Sequence, residues 1–273
     1  MVHNRYATTA INEVSPGAPL LFQDGLLQAI EKTAELGFEA IEIHVVDPVT
    51  FPVQLVAKAC AEHQLSVAAI ATGRAFTKRH RCITSPDLTN REAAMEELFS
   101  YIDIAANLDS KDGVIIGWVK GNRTEETDGF DDLLAAQFRR LADYAASKEQ
   151  KLLIEVINRY ETNTFNTCAE LVSFLDRFEI PNTYIHLDTF HMNIDEANPA
   201  AAIRLAGDRL GYIHFADSNR HAPGGGHFDF APVLKALTEV GYQGSFSLEC
   251  FPIPDGETAA VNGKTFLTSI DEY

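Results

Sequence analysis

Glu155, Asp188, His214 and Glu249 follow one another at intervals of 33, 26 and 35 residues, each about one strand–helix repeat. Each stands at or just beyond the end of a short apolar run, so on parallel strands the four side chains would converge on one ring. Three carboxylates and one imidazole form an oxygen-rich donor set. It suits Mn²⁺, Mg²⁺ or Co²⁺ in six-coordinate geometry, with positions left for a substrate, better than tetrahedral zinc. Buried without a cation, three such carboxylates would resist ionisation. Any one acid at a strand end reads equally as a surface or hydrogen-bonded group; the common phase of all four carries the metal reading.

The neighbours extend the pattern. In the run Glu155-Val156-Ile157-Asn158-Arg159-Tyr160-Glu161 a second acid follows the first by six residues. His191 lies three residues past Asp188, and Arg220 six past His214. Glu161, His191 and Arg220 are therefore expected in loops over the same ring, able to grip sugar hydroxyls or a carbonyl, or else to be ordinary solvated loop residues. Glu42 and His44, ending an earlier apolar run, are either substrate contacts or packed polar groups.

Such residues need a scaffold that brings distant strand ends together. Apolar runs predict strands at Tyr6–Ala10, Ala40–Val45, Ser66–Ala71, Gly113–Gly117, Lys151–Val156, Tyr184–Leu187, Gly211–Phe215 and Ser245–Leu248. Between them lie helical patterns. Thr89 and Glu92 fit a capping box, followed by the i, i+3, i+4 stripe Met95, Leu98, Phe99, Ile102, Ala105 and Ala106. Thr167 and Glu170 repeat the box before Leu171, Phe174, Leu175 and Phe178. Leu134, Phe138, Leu141 and Ala145 make a third stripe, and Gly37 and Gly241 follow helical runs where a left-handed cap favours glycine. Spread over 273 residues, eight units take about 34 residues each. Strands alternating with helices imply parallel pairing and right-handed crossovers. No GxGxxG follows the first strand to support a doubly wound sheet. The expectation is an α/β chain with one domain over residues 1–273, a (β/α)8 TIM barrel, whose active site lies at the strand C-terminal ends.

Composition narrows the partners. With 46% hydrophobic and 22% charged residues the chain is neither disordered nor collagen-like. Its 22 basic against 39 acidic residues leave a net charge of −17, which opposes binding to nucleic acid or to an anionic membrane and leaves a small neutral substrate open. The four cysteines, Cys60, Cys82, Cys168 and Cys250, lack a CxxC pair and read as thiols in a reducing compartment. The polar start and the absence of an 18-residue apolar run predict neither a leader nor a membrane span, so a cytoplasmic location is expected.

Glu-Val-x-Asn-Arg-aromatic-Glu from Glu155, Leu-Asp-Thr-Phe-His-Met-Asn-Ile at Leu187–Ile194, His-x5-Arg from His214 and Gly-Tyr-x-Gly-x4-Glu ending at Glu249 together resemble the ketose 3-epimerases of the D-tagatose and D-psicose type. These belong to the xylose isomerase-like barrels. The likeness is specific from Glu155 to Phe251 and general before that. It implies that Glu155, Asp188, His214 and Glu249 are metal ligands and that Glu155 and Glu249 are also the acid/base pair. It further implies that Glu161, His191 and Arg220 contact a sugar, that the metal is divalent, Mn²⁺ first, and that a homo-oligomer is possible. Carbon next to a ketone is epimerised by removing its proton and returning it on the opposite face; a divalent Lewis acid and one carboxylate per face suit that chemistry.

Three departures from the family pattern fall after residue 215: Ala216-Asp217 in place of Gly-Glu, Phe228 and Phe230 after Pro223-Gly224-Gly225-Gly226 where Trp is common, and Cys250 where Pro is usual. They are expected in the shell around the substrate, bearing on which sugar is taken. Arg74, Lys78, Arg79, His80 and Arg81 crowd the segment after the third strand. They read as a solvated, ion-paired loop or as a grip on an anionic sugar substituent. Competing functions are an aldose–ketose isomerase of hydroxypyruvate or pentose type, a non-catalytic sugar- or metal-binding barrel and, more distantly, an apurinic-endonuclease-like repair enzyme.

Overall fold

The computed structural model describes residues 5–23, 25–124 and 129–271; the first four residues of the polar start lie outside this set. Eight parallel strands close on themselves in sequence order. They are β1 (Tyr6–Ile11), β2 (Ala40–His44), β3 (Ser66–Ala71), β4 (Gly113–Ile116), β5 (Leu152–Glu155), β6 (Thr183–Asp188), β7 (Leu210–Phe215) and β8 (Phe246–Leu248). Every expected strand forms, β3 with the expected bounds and the others with one or both ends moved by a single residue.

The helices packed outside are α1 (Leu26–Glu35), α2 (Val53–Glu62), α3 (Gly73–Arg79), α4 (Leu88–Asn107), α5 (Phe130–Ser147), α6 (Cys168–Phe178), α7 (Thr189–Asp195), α8 (Pro199–Ala206), α9 (Ala231–Glu239) and α10 (Gly256–Asp271). The three stripes face inward as expected: Met95, Leu98 and Ile102 on α4, Leu134, Phe138 and Leu141 on α5, and Leu171, Phe174 and Leu175 on α6 are all buried. Among the described residues no helix is long and apolar enough to cross a membrane.

The helix starts divide. Thr167 caps α6, accepting from the Glu170 N–H, while the Glu170 carboxylate accepts from the Asn166 N–H. The box expected at Thr89 does not form. Asp87 caps α4 instead, accepting from the Thr89 N–H at 2.9 Å, and Glu92 pairs with Arg140 of α5. A carboxylate two residues earlier offers a stronger acceptor, so the helix starts at Leu88. Gly37 and Gly241 both have positive φ and cap their helices as expected: Phe38 N–H reaches Thr33 O and Tyr242 N–H reaches Leu237 O.

Two lattices of contact build the core. The main one fills the gap between strands and helices. A second fills the barrel's inside with small residues, Ala7, Ala40, Ala68, Ala69 and Ala71, against Ile115, Leu153 and Tyr212. Side chains from β1 to β5 and β7 meet there, with Tyr184 of β6 packed against them, and a closed eight-strand barrel has room only for such a mixture. Register adds a detail at β7. Ile185 pairs with Leu210 but His186 pairs with Tyr212, so Gly211 is the extra residue of a bulge. A Cβ on Gly211 would come within 2.5 Å of Tyr184 Cβ, so only glycine fits that approach.

Candidate active site

At the strand C-terminal ends a cleft of about 360 Å³ is lined by His44, Glu155, Glu161, His191, His214, Arg220 and Glu249 on one side. Residues 15–20 of the β1–α1 loop, together with Arg74, Thr77 and Trp118, form its other wall. Asp188 lies beneath it, fully buried. A larger surface hollow of about 460 Å³ lies between the starts of α1 and α10, away from this ring.

The four metal-competent side chains meet here. Asp188, His214 and Glu249 each offer an atom within 4.8 Å of the others. Glu155 joins them in two further groups of that size, one with Asp188 and His191 and one with His214 and His186. Asp188 Oδ2 and His214 Nδ1 are buried and, among the described residues, have no hydrogen-bond partner. Such atoms are costly to leave bare, and both fall in this ring. Burial, then the charge of Glu249, raises Glu155 above the usual carboxylate range. Burial also raises Asp188, against the pull of Arg220. Orphaned polar atoms and crowded carboxylates are what a divalent cation would relieve, taking the place of a proton at His214 Nδ1, so these residues fit one.

Glu42 does not line the cleft. It is fully buried below it, and its Oε2 accepts from His214 Nε2 at 2.7 Å, Ser247 Oγ at 2.8 Å and Tyr212 Oη at 2.9 Å. Burial alone would raise its pKa, but His214 outweighs this and holds the carboxyl well below the usual range. Conversely, Glu42 and then Glu249 overcome the effect of burial on His214 and push it up to about 10. With Nε2 spent on Glu42, the His214 ring presents Nδ1 to the cleft. Of the two open readings, Glu42 is thus a packed polar group. His44 lines the cleft, 2.8 Å from Glu42 Oε1 and 3.8 Å from Glu249 Oε1.

The three expected sugar contacts all line the cleft. Asn158 Nδ2 donates to His191 Nδ1 at 2.7 Å and to Glu161 Oε1 at 2.9 Å. His191 therefore carries its proton on Nε2, which lies 3.7 Å from both Glu155 Oε1 and Asp188 Oδ2. Burial first, and Arg220 second, keep this imidazole neutral. Arg220 donates to Glu249 Oε2 at 2.8 Å, stands 3.6 Å from Glu161, and stacks over the Phe190 ring at 4.7 Å. Its φ of 61° is the left-handed conformation that non-glycine residues seldom adopt.

Other expectations change. The three departures from the family pattern are absent from the cleft lining. Asp217 is buried, accepting from the N–H groups of Ser218, Gly224 and Phe228 and so tying down the glycine loop. Phe228 and Phe230 pack on each other, and Cys250 is buried with its thiol pushed up to about 12 by burial. The basic segment is not a loop but α3 and the turn after it, and its cations are engaged. Arg79 and Arg81 bind Glu97, and Arg74 and Lys78 lie within 3.5 Å of Glu13. Only Arg74 and Thr77 of this helix's polar side chains reach the cleft wall.

Sequence reasoning missed Glu42 as a support, Asn158 as the link between two site residues, and Trp118, the one tryptophan of the sequence, as a wall. The uniqueness of Trp118 was a usable signal; the other two had none beyond their residue type.

Residues 30–270 match the family described as xylose isomerase-like TIM barrel. An L-ribulose 3-epimerase from Methylomonas sp. is 37% identical over 83% of this chain and 79% of its own length. A ketose 3-epimerase from Arthrobacter globiformis is 34% identical over 84% of this chain and 78% of its own. The crystal structure of a D-allulose 3-epimerase from Methylomonas sp. superposes with a TM-score of 0.80 at 30% identity, over 98% of this chain and 99% of that one.

Proposed function

This chain belongs to the xylose isomerase-like TIM barrels and, among them, to the ketose 3-epimerases, enzymes of the isomerase class; on that premise we propose that it inverts C3 of a ketose. One observation carries the reading. Glu155 and Glu249 enter the same cleft from strands three apart in the barrel, close enough for one charge to raise the other's pKa, around the bare Asp188 Oδ2 and His214 Nδ1.

The C3 proton of a ketose is acidified by the adjacent carbonyl, and its removal leaves a planar enediolate. One of Glu155 and Glu249 takes the proton; the other returns one to the opposite face, and the roles exchange for the reverse reaction. Glu155, Asp188, His214 and Glu249 would hold a divalent cation, Mn²⁺ before Mg²⁺ or Co²⁺, which would supply Lewis-acid polarisation of the substrate oxygens. His191 Nε2–H and the Arg220 guanidinium donate toward oxygen where negative charge develops, and Glu161 accepts from a hydroxyl. Trp118 and residues 15–20 exclude water from the far side.

A free ketose is the substrate class, because the two cations that line the cleft, Arg74 and Arg220, already have carboxylate partners. The net charge of −17 opposes the repair-enzyme reading. A cytoplasmic setting is part of the proposal, supported by four unbridged cysteines. The test is NMR in heavy water with free and phosphorylated ketoses and added Mn²⁺. Deuterium at C3 with inversion is expected. Deuterium at C1 or C2 with aldose formation would assign an isomerase, and no exchange at any carbon would leave a binding protein.

A further inference from the structure

One full charge near the ring has no part in that scheme. Lys120 closes a short turn (Trp118–Lys120) after β4 and is fully buried. Among the described residues its Nζ makes a single hydrogen bond, to Gly117 O at 3.2 Å. An ammonium offers three donors, and burying one without a paired anion is costly. The turn is nevertheless held firmly. Thr84 Oγ1 donates to Lys120 O at 2.8 Å, and Ile83 N–H donates to Val119 O at 2.9 Å. Gly121 admits no side chain, since a Cβ there would lie 2.2 Å from Thr84 Oγ1.

Gly117 connects this lysine to the chemistry. Its carbonyl holds Lys120 Nζ, while a Cβ on the same residue would lie 2.5 Å from Glu155 Oε2. The ammonium and the carboxylate thus lie against one glycine. Burial lowers the Lys120 pKa, and the charges of Glu155 and then Glu161 oppose that loss. Lys120 is absent from the cleft lining, so it does not touch the sugar.

We propose that Lys120 is a positioning residue: a fixed cation behind Glu155 and Glu161, serving the β4–β5 side of the ring as Arg220 serves Glu249 on the β7–β8 side. The inference rests on the reading of Glu155 and Glu249 as the acid/base pair. A reaction run from two faces needs both carboxylates aimed inward while charge moves between them. Arg220 does this for Glu249 through a 2.8 Å hydrogen bond. Lys120 does it for Glu155 through a preorganised charge in a dry site, where its field is weakly screened and needs no rearrangement during the reaction.

The test compares the wild type, Lys120→Met and Lys120→Gln at saturating Mn²⁺. Measured are kcat and KM for C3 inversion, Mn²⁺ affinity of the metal-stripped proteins by calorimetry, and the thermal midpoint. Both variants are expected to lose about tenfold or more in kcat. KM should stay within about twofold, Mn²⁺ affinity should fall less than kcat, since Glu155 is only one of four groups that would hold the ion, and the midpoint should hold or rise, because a lone buried charge has been removed. Lys120→Gln keeps a donor for Gly117 O. Wild-type kcat in that variant would overturn the proposal, since the hydrogen bond alone would then suffice. A joint fall of kcat, Mn²⁺ affinity and midpoint in both variants would overturn it too, as Lys120 would merely hold the turn. A wild type without C3 inversion would instead defeat the epimerase reading itself.

Discussion

Glu155 and Glu249 share residue type and cleft but not surroundings, and that difference sets the first prediction. Arg220 binds Glu249 directly, whereas Glu155 has the buried Lys120 behind it and His191 Nε2 at 3.7 Å. Replacing either carboxylate by its amide removes a proton carrier, so Glu155→Gln and Glu249→Gln should each lower kcat by about 10²–10⁴. Loss of C3 deuterium uptake reports the same step. A Glu249→Gln protein with full turnover and normal metal would refute the assignment. Glu42 acts one layer below. Without its carboxylate the His214 ring is free to turn, and Glu42→Gln should bind Mn²⁺ about 10–100-fold more weakly, read by calorimetry. That the carboxylates and His214 come together was legible from their spacing. Glu42 was not, because its bonds to Tyr212 and His214 cross 170 and 172 residues of chain.

Among the elements, the glycine loop after β7 depends on one side chain. Asp217 gathers three backbone N–H groups, and a Cβ on Gly226 would lie 2.2 Å from its Oδ1. Burial would raise its pKa, but the N–H groups of Phe228 and Ser218 outweigh this and hold it below the usual range. Asp217→Asn keeps the shape and loses the charge, so it should cost about 1.5–3 kcal/mol near neutral pH, measured by denaturant unfolding. The sign of the pH dependence follows: a depressed folded-state pKa stabilises fully above about pH 4 and fades as acid protonates the carboxyl. The two proteins should therefore converge in stability below that pH; a gap that persists in acid would show that charge is not the cause. Asp217 was visible in the sequence as a departure, yet its partners lie up to eleven residues on, in a loop with no periodicity to reveal its path. The misjudged cap at Thr89 has a local cause: Asp87 and Thr89 both favour a helix start, and the carboxylate prevailed.

For the whole molecule, a cation held by the proposed ring would be linked to the fold. An ion that binds only the closed ring stabilises the native state by about 2.7 kcal/mol when present at about a hundredfold over its Kd. For a chain of this size, Mn²⁺ should then raise the thermal midpoint by roughly 5–10 °C over the metal-stripped protein in calorimetric scans. Its affinity should weaken on acidification, because burial has already made Glu155 and Asp188 readier to hold protons that compete with the ion. An unchanged midpoint with Mn²⁺ would speak against a cation within the ring.

The alternation of apolar runs with helical stripes, the eight strands and the residues at their ends were written in local pattern, since side-chain period and burial are properties of a few neighbouring residues. Tertiary closure decided what lies around them. Strand neighbours pair Asp188 with His214 directly, but Glu155 with His186 and His214 with Ser247, so the donors step by two residues from β5 to β6 and from β7 to β8. That stagger comes from strand tilt in a closed barrel, and the bulge at Gly211 sets the phase of His214 within it. The support of Glu42, the engaged cations of α3 and the buried Lys120 arise from contacts between distant segments. No local period encodes them, and only the folded chain brings their charges within reach of one another.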